Sequence, residues 1–279
     1  MSPPHPVFQP QLLAGQTALI TGASSGINLG IAKRFAEHGA NLVVIARNPE
    51  KIDRACAEIG ARNSGRVLGC SVDVRHYAEL SAQIERAATH FGPLDIVIAG
   101  AAGNFLAPAA TLSSNAFAAV VGIDLLGTFN TFRASFAHLR KPGARLLAIS
   151  APQATQPMPL QSHACAAKAG VESLIRTLAV EWGGATGVTV NGISPGTVAG
   201  TEGVARLVGN EAMARKLTAH LPIPRLGTVD ELADLALFLV SPLAAYMTGQ
   251  IIALDGGVSL LGSGLRFDEG TGASPLGGS

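Results

Sequence analysis

A glycine-rich turn near the N-terminus is the first feature of the sequence that points to chemistry. From Thr21 the chain reads Thr-Gly-Ala-Ser-Ser-Gly-Ile-Asn-Leu-Gly, between an apolar run and a helical pattern. Gly22 permits a tight turn, and Gly26 lets the backbone approach a ligand closely. A glycine turn that opens a helix directs backbone amides at one spot, which predicts a pyrophosphate cradle. We assign to it Gly22, Ser24, Ser25, Gly26 and Ile27; the alternative is a purely structural turn.

Two positions after the following strands bear on which dinucleotide would bind. Arg47 lies where dinucleotide folds usually carry Asp or Glu for the ribose 2′-hydroxyl. A guanidinium pairs with a 2′-phosphate, which predicts NADP(H) in preference to NAD(H). Asp73 and Val74 follow the third predicted strand and are placed to cap the adenine. The plainer interpretations are a solvated arginine and an aspartate that begins a helix.

Apolar runs of strand length alternate with amphipathic stretches, the pattern of a parallel sheet with crossover helices. The predicted strands are 17–21, 41–46, 66–72, 94–99, 144–150, 188–193 and 250–253. The predicted helices are 27–38, 49–60, 77–91, 116–139, 165–182 and 229–240. Helix 116–139 and the helix after Cys165 are more apolar than a solvated helix requires. That composition indicates either a homo-oligomeric interface or packing on the sheet.

Composition narrows the class of protein. The 279 residues carry a formal net charge of +1, so no global field attracts nucleic acid or an anionic membrane. With 48% apolar and 14% charged residues the chain is typical of a compact α/β enzyme. The three cysteines, Cys56, Cys70 and Cys165, have no metal-like spacing, and we expect no metal site.

Location and domain organisation follow from the same composition. No basic segment precedes an apolar stretch at the N-terminus, and no apolar run approaches the roughly 18 residues of a membrane span. The Gly/Ser-rich stretch 262–279 does not end in a Ser-Lys-Leu type tripeptide. These features predict a cytoplasmic protein with a single domain over 1–279, a core from about 13 to 260 and a loosely ordered tail.

Further motifs make the chain similar to the short-chain dehydrogenase/reductase superfamily from about Leu13 to Leu260. They are the glycine turn, Asp73-Val74, Lys168 at the start of a long helix, Asn-Gly-Ile-Ser-Pro-Gly-Thr at 191–197, and Asp-Gly-Gly at 255–257. The resemblance implies an α/β fold of a single Rossmann-type domain. Its doubly wound parallel sheet would have seven strands in the order 3-2-1-4-5-6-7, with helices on both faces. It also implies cofactor contacts at Lys168, Pro195, Gly196 and Thr201, and a mobile substrate lid at 201–221.

The superfamily's usual catalytic positions are largely replaced here. Lys168 is present, but Ala164 lies at the Tyr position, Ala151 at the Ser position and Asp124 at the Asn position. Ketone reduction needs a phenol to pass a proton to the carbonyl oxygen, so that chemistry is not expected. In the cofactor region, Asn28 replaces the third glycine of the superfamily motif. Ala99-Gly100 stands where the superfamily usually has a stretch that contains Asn.

Four segments resemble the 2,4-dienoyl-CoA reductases of the peroxisomal type, which also lack the Tyr and the Ser. They are Ala-Ala-Gly-Asn-Phe-Leu at 101–106, Gly-Ile-Asp at 122–124 with Gly-Thr-Phe-Asn at 127–130, Leu-Gln-Ser-His-Ala-Cys-Ala-Ala-Lys at 160–168, and Gly-Thr-Glu-Gly at 200–203. The resemblance implies NADPH-dependent reduction of a 2,4-dienoyl-CoA, or a related unsaturated acyl-CoA, to an enoyl-CoA. Asp124 would relay the proton, and Lys168 would hold the nicotinamide ribose and stabilise charge.

The same resemblance implies the other contacts and partners. Acyl-CoA would meet Arg75, Phe105, Ser113, Ser114, Asn115 and Arg206. We expect a homo-oligomer, with a tetramer favoured over a dimer. Asp124 has an alternative reading as a helix-packing or oligomer-contact carboxylate, and each acyl-CoA residue has one as surface or core. The alternative functions are a reductase of another carbonyl-type substrate, with an acid such as His163, and a catalytically silent NADP(H)-binding protein.

Overall fold

The computed structural model describes residues 7–62, 66–201, 218–219 and 221–261 of the chain. Strands and helices alternate along these residues, as the apolar pattern predicts. The strands are β1 Thr17–Thr21, β2 Asn41–Ala46, β3 Val67–Ser71, β4 Ile96–Ala99, β5 Arg145–Ile149, β6 Thr189–Pro195 and β7 Ile251–Leu254. The helices are α1 Gly26–Glu37, α2 Pro49–Gly60, α3 Tyr77–Phe91, α4 Ser114–Val121, α5 Gly127–Ser135, α6 Ser162–Thr186 and α7 Val229–Val240.

The strands form one parallel sheet in the order β3-β2-β1-β4-β5-β6-β7, which confirms the predicted fold class. In β1, Ala18 lies opposite Leu42 of β2 on one side and Ile96 of β4 on the other. The strand order reverses at β1, so a crevice opens at the carboxyl ends of β1 and β4. The glycine turn that follows β1 is therefore positioned at this crevice.

Helices cover both faces of the sheet, and each face has its own apolar core. On one face Phe35 of α1 and Leu237 of α7 belong to one buried cluster. On the other, Leu80 of α3, Phe132 of α5 and Ile175 of α6 belong to a second. Each of these side chains is fully buried, which contributes about 1.5–3 kcal/mol apiece to folding. Because both faces are covered, the inner strands are apolar throughout rather than alternating.

The helix predicted over 116–139 is one continuous helical segment, but it is not one regular α-helix. It consists of α4, a π-helical turn at Gly122–Leu126, α5, and a 3-10 turn at Phe136–His138. Among the described residues, Ser114–His138 is the one helix long and apolar enough to cross a membrane, judged by length and composition alone. The expectation that no run approaches that length is corrected here. The segment packs on α3, β4 and α6, as a core helix does.

Some predicted boundaries move. Strand β6 extends to Pro195, because that residue pairs with Leu254 of β7. Leu94, predicted as the start of β4, instead forms an isolated bridge with Leu139. Helix α6 begins earlier than predicted, at Ser162. Most of the predicted lid, including Arg206, and the predicted tail 262–279 lie outside the described residues.

Candidate active site

The glycine turn has the geometry of a cradle for a phosphate group. Gly22 has φ +72°, and a Cβ on it would lie 2.8 Å from the Ala101 backbone, so no other residue fits there. Gly26, with φ +59°, begins α1, and a Cβ on it would meet nothing within 4 Å. Among the described residues the Ser25 side chain makes no capping hydrogen bond, and the first turn of α1 carries no acidic residue. Amides at this helix start are therefore available to an anion, and the turn fits a dinucleotide pyrophosphate.

The two departures from the superfamily pattern in this region contact each other. The Asn28 side chain donates from Nδ2 to the Gly100 carbonyl oxygen at 2.8 Å. A Cβ on residue 100 would lie 2.4 Å from the Asn28 amide, so the asparagine needs a glycine opposite it. Thr21 also holds this loop, because its hydroxyl accepts from the Gly100 amide at 3.1 Å. A side chain on α1 thus holds the loop after β4, where the usual Asn is absent.

The end of the crevice that is predicted to hold the adenosine is a small cavity of about 70 Å³ lined by residues that include Arg47, Asp73 and Val74. Arg47 is exposed at its edge, and the Ser71 hydroxyl donates to the Arg47 carbonyl oxygen at 3.0 Å. Asp73 accepts from Arg75 Nε at 3.0 Å and from Nη2 at 2.7 Å. These bonds from Arg75 lower the pKa of Asp73 to about 2, so its carboxylate stays ionised. The three residues predicted for this end therefore come together.

Asp124 and Lys168 form a buried ion pair at the centre of the site. Asp124 lies in the π-helical turn, and Lys168 lies in α6. Lys168 Nζ is 3.3 Å from Asp124 Oδ2 and donates to the Ile149 carbonyl oxygen at 2.8 Å. The other carboxylate oxygen, Oδ1, accepts from the Gly103 amide at 2.7 Å. Asp124 is 2% exposed and Lys168 8%, so solvent screens the pair little.

No described residue near this pair takes the place of the Tyr and Ser hydroxyls that the superfamily usually has. Ala164 is buried in α6, four residues before Lys168. Ser150 precedes Ala151, but its hydroxyl donates a hydrogen bond to Glu172 Oε1 at 2.9 Å in the protein interior. Tyr246, one of the two tyrosines, is fully exposed before β7. Tyr77, the other, begins α3 and is 40% exposed.

The five predicted acyl-CoA residues that the structure describes lie in three places. Ser113, Ser114 and Asn115 are exposed at the start of α4, where Ser113 caps the helix by accepting from the Ala116 amide. Arg75 is paired with Asp73 as described, and its aliphatic stem lies beside Gly122. Phe105 is 40% exposed, and its ring stacks on that of His163 with centroids 4.4 Å apart.

The remaining predicted cofactor residues follow β6. Pro195 ends that strand, and the Gly196 amide donates to the Leu254 carbonyl oxygen at 2.9 Å. A Cβ on Gly196 would lie 2.5 Å from the Asp255 Cα, which explains the glycine. Thr201 donates from its hydroxyl to the Val198 carbonyl oxygen at 2.9 Å. The sequence marked Asn28 only as a departure from the superfamily pattern and His163 only as the acid of an alternative reaction, and it predicted neither the contact of Asn28 with Gly100 nor that of His163 with Phe105.

Comparison with known proteins gives consistent matches. A family profile described as enoyl-(acyl carrier protein) reductase matches residues 22–259. The peroxisomal 2,4-dienoyl-CoA reductase [(3E)-enoyl-CoA-producing] of Rattus norvegicus is 43% identical over 254 residues, 91% of this chain and 87% of that protein. The probable 2,4-dienoyl-CoA reductase [(2E)-enoyl-CoA-producing] of Bacillus subtilis is 41% identical over 245 residues, 87% of this chain and 96% of that protein.

A solved structure agrees with these sequence matches. The crystal structure of a short chain dehydrogenase from Bacillus anthracis superposes with a TM-score of 0.78 at 37% identity, covering 87% of this chain and 96% of that one. The relatives also correct one expectation. Those from Rattus norvegicus, Saccharomyces cerevisiae and Arabidopsis thaliana are named peroxisomal, so the predicted cytoplasmic location is wrong.

Proposed function

The chain belongs to the short-chain dehydrogenase/reductase superfamily and groups there with the 2,4-dienoyl-CoA reductases, and on this premise we propose that it reduces a 2,4-dienoyl-CoA to an enoyl-CoA with NADPH. As a member of that superfamily it is an oxidoreductase that uses a nicotinamide cofactor. The observation that carries the proposal is the buried Lys168–Asp124 pair, 3.3 Å apart, in a site with alanine at the Tyr and Ser positions.

The proposed reaction explains why a phenol is dispensable. A hydride added at the far end of the conjugated diene pushes the electrons toward the thioester, whose oxygen takes the negative charge. The carbon near the thioester then takes a proton, and no alkoxide forms at a carbonyl carbon. When bound, NADPH supplies the hydride, so that with one proton the dienoyl-CoA becomes an enoyl-CoA and NADP⁺ is left.

Lys168 supplies the positive charge of the site. Its ammonium is held by the Asp124 carboxylate and the Ile149 carbonyl oxygen, which leaves one of its three protons for the nicotinamide ribose or the substrate. A preorganised cation stabilises negative charge that develops on the substrate, and it does so more strongly where water is excluded. The burial of Lys168 supports this role.

Asp124 acts with Lys168 as one unit. One carboxylate oxygen contacts Lys168 Nζ and the other accepts from the Gly103 amide. The carboxylate therefore positions both the ammonium and the loop that carries Phe105. We assign the proton relay toward the substrate carbon to this pair: a water molecule gives its proton to the carbon, the Lys168 ammonium replaces that proton, and solvent then reprotonates the amine. In this arrangement the position of Asp124 in the π turn decides where the proton is delivered.

NADP(H) is the proposed cofactor because of the charges at the adenosine end. Arg47 is exposed beside the cavity that Asp73 and Val74 line, where a 2′-phosphate would meet a guanidinium rather than a carboxylate. Gly22 and Gly26 would hold the pyrophosphate, with Ser24, Ser25 and Ile27. Pro195, Gly196 and Thr201 would border the nicotinamide end.

For the acyl-CoA we propose the exposed start of α4, at Ser113, Ser114 and Asn115, with Arg75, Phe105 and Arg206. We also propose a homo-oligomer, with a tetramer favoured. Large apolar side chains exposed on the α4–α5 segment and on α6 support that assembly: Phe117, Leu126, Phe129 and Val180. Size-exclusion chromatography with light scattering tests it, and a monomeric mass contradicts it.

The first experiment measures cofactor consumption with a medium-chain 2,4-dienoyl-CoA, comparing NADPH with NADH and identifying the product by mass and double-bond position. We expect turnover that prefers NADPH and is lost in Lys168→Ala. Lys33→Ala is the matched control, since Lys33 is paired with Glu58 at the surface of α1, and it should retain activity. Tight NADPH binding without turnover contradicts the proposal and favours a silent NADP(H)-binding protein.

A further inference from the structure

Within the described part of the chain, His163 is a buried histidine that makes no hydrogen bond. It lies in the first turn of α6 and is 0% exposed. Neither ring nitrogen has a partner among the residues that the structure describes. One ring face stacks on Phe105 at 4.4 Å, with 24° between the planes. By contrast His38, the other buried histidine of the described chain, has its Nδ1 3.1 Å from the Gln9 carbonyl oxygen.

Filling this buried space with an unpaired imidazole is less favourable than filling it with an apolar ring. Its neutral form carries one N–H donor and one lone-pair acceptor, and burying them unpaired costs free energy that an apolar ring avoids. A buried polar group of this kind in a native structure calls for an explanation, and a ligand that pairs with it is one. The Phe105 stack satisfies only the apolar face of the ring.

The loop over His163 is the loop that holds the ion pair. Gly103 binds Asp124 through its amide, and Phe105 lies two residues further on. Between them, Asn104 donates to Gln161 at 2.6 Å, which ties the loop to the residue before α6. His163 is therefore covered by a half-exposed side chain of the loop that runs to the Asp124–Lys168 pair.

Besides the positive charge of Lys168, the proposed reaction calls for a neutral hydrogen-bond donor to the substrate oxygen. The thioester oxygen gathers negative charge, and the positions where the superfamily offers hydroxyl donors are Ala164 and Ala151. Ser150 is committed to Glu172. His163 is a buried histidine whose ring lies against Phe105 of the loop that binds Asp124, and its nitrogens have no partner among the described residues.

We propose that a ring N–H of His163 donates a hydrogen bond to the thioester carbonyl oxygen of the bound acyl-CoA, after Phe105 turns away from its stack. This inference rests on the proposed function. The bond stabilises the charge on that oxygen while the hydride adds, and no proton leaves the ring. His163 is then a catalytic residue, because it touches the substrate oxygen.

The test uses the full-length protein with His163→Phe, which keeps the ring volume and the stack, and His163→Gln, which restores a donor. We expect His163→Phe to lower kcat about 100-fold, the usual effect of removing one oxyanion donor, and His163→Gln to recover part of it. Because His163 makes no hydrogen bond to the residues that the structure describes, the Tm should be unchanged or higher and the NADPH Kd unchanged. His38→Phe is the control for a buried histidine away from the site and should retain kcat.

A second readout does not depend on turnover. In protein with ¹⁵N-labelled histidine, the His163 imidazole signals should shift when NADP⁺ and the 2,4-dienoyl-CoA are added together, a pair that cannot react. If His163→Phe is fully active, or if the His163 signals do not shift, the proposed role of His163 is wrong. The proposed function still stands in that case, provided that the wild-type protein reduces the dienoyl-CoA. A wild-type protein that does not reduce the dienoyl-CoA overturns both.

Discussion

Asn28 fills the space that a side chain on residue 100 would need, and its amide hydrogen-bonds to the Gly100 carbonyl oxygen at 2.8 Å. The two residues are 72 positions apart and join α1 to the loop after β4. That loop continues to Gly103, which binds Asp124. The contact therefore connects the cofactor turn to the ion pair through a single stretch of backbone.

The first prediction concerns this contact. Gly100→Ala should lower the free energy of unfolding by about 1–3 kcal/mol, because the new methyl group would overlap the Asn28 amide. Asn28→Gly in the same chain should recover much of that loss. Urea unfolding of the single and double variants measures the coupling. As a control, Gly184→Ala in α6, where a Cβ meets nothing within 4 Å, should be neutral or stabilising. The prediction is wrong if the losses of unfolding free energy in the two single variants simply add in the double variant.

The second prediction concerns the buried ion pair. Lys168→Met leaves the Asp124 carboxylate buried without its cation, which should cost about 3–5 kcal/mol of unfolding free energy. Adding Asp124→Asn should restore part of it, since the amide oxygen can still accept from Gly103. Thermal and urea unfolding of the three variants gives the interaction energy. A double variant as unstable as the sum of the two single variants would show that the charges do not interact.

The third prediction concerns cofactor choice. Arg47→Asp should raise the KM for NADPH roughly 10- to 150-fold, the equivalent of one charge-assisted hydrogen bond, and raise the KM for NADH far less. Initial rates with each cofactor measure the change. Arg54→Asp, on the exposed surface of α2, makes the same charge change away from the cavity and should leave the NADPH preference intact. An unchanged KM in Arg47→Asp would remove Arg47 from the 2′-phosphate site.

The fourth prediction concerns acid stability. Arg225 donates to Glu231 at 2.6 Å and lowers its pKa to about 2, against an ordinary value of 4.5. A lowered carboxylate pKa stabilises the fold above pH 4.5, and that contribution is lost as the pH falls toward 2. In Glu231→Gln, stability should therefore fall slightly less steeply across this window than in the wild type, and the difference should be small because solvent screens the largely exposed Arg225.

Unfolding followed from pH 7 to pH 2 tests the fourth prediction. Gln can still accept from the Thr228 amide, so the start of α7 should stay capped at neutral pH. Part of the acid dependence should survive in this variant, since the pKa of Asp73 is also about 2 and its partner Arg75 is untouched. An acid limb identical to that of the wild type would mean that the pair contributes nothing.

Much of the scaffold could be predicted from local patterns. Apolar runs of five or six residues predicted β1 and β2 with the observed bounds, and helical spacing did the same for α2, α3 and α7. The positions of Gly22, Arg47 and Asp73 also followed, because each comes directly after a strand of a parallel sheet. Strand ends and the start of α6 were less well predicted, since pairing with a neighbouring strand or loop decides them.

The contacts of the site could not be predicted in the same way. Asn28 and Gly100 were each visible as departures from a family pattern, but only the sheet brings them together. Asp124 could be placed on a helix, yet its bond to the Gly103 amide spans 21 residues and depends on a local change of helix type. The stack of Phe105 on His163 likewise depends on how a loop folds over a helix.

The π turn at Gly122–Leu126 fixes the rotational phase between the two halves of a long helix. A π turn holds one residue more than the α-helical turn it replaces, and one residue is about 100° of rotation. Within the turn Asp124 meets Lys168; beyond it, in α5, Asn130 donates to the Val74 carbonyl oxygen at 2.9 Å. A chain shortened by one residue here would still form a helix, but it could keep only one of these two contacts. One extra residue thus keeps the Asp124 carboxylate against Lys168 while Asn130 stays bonded to Val74.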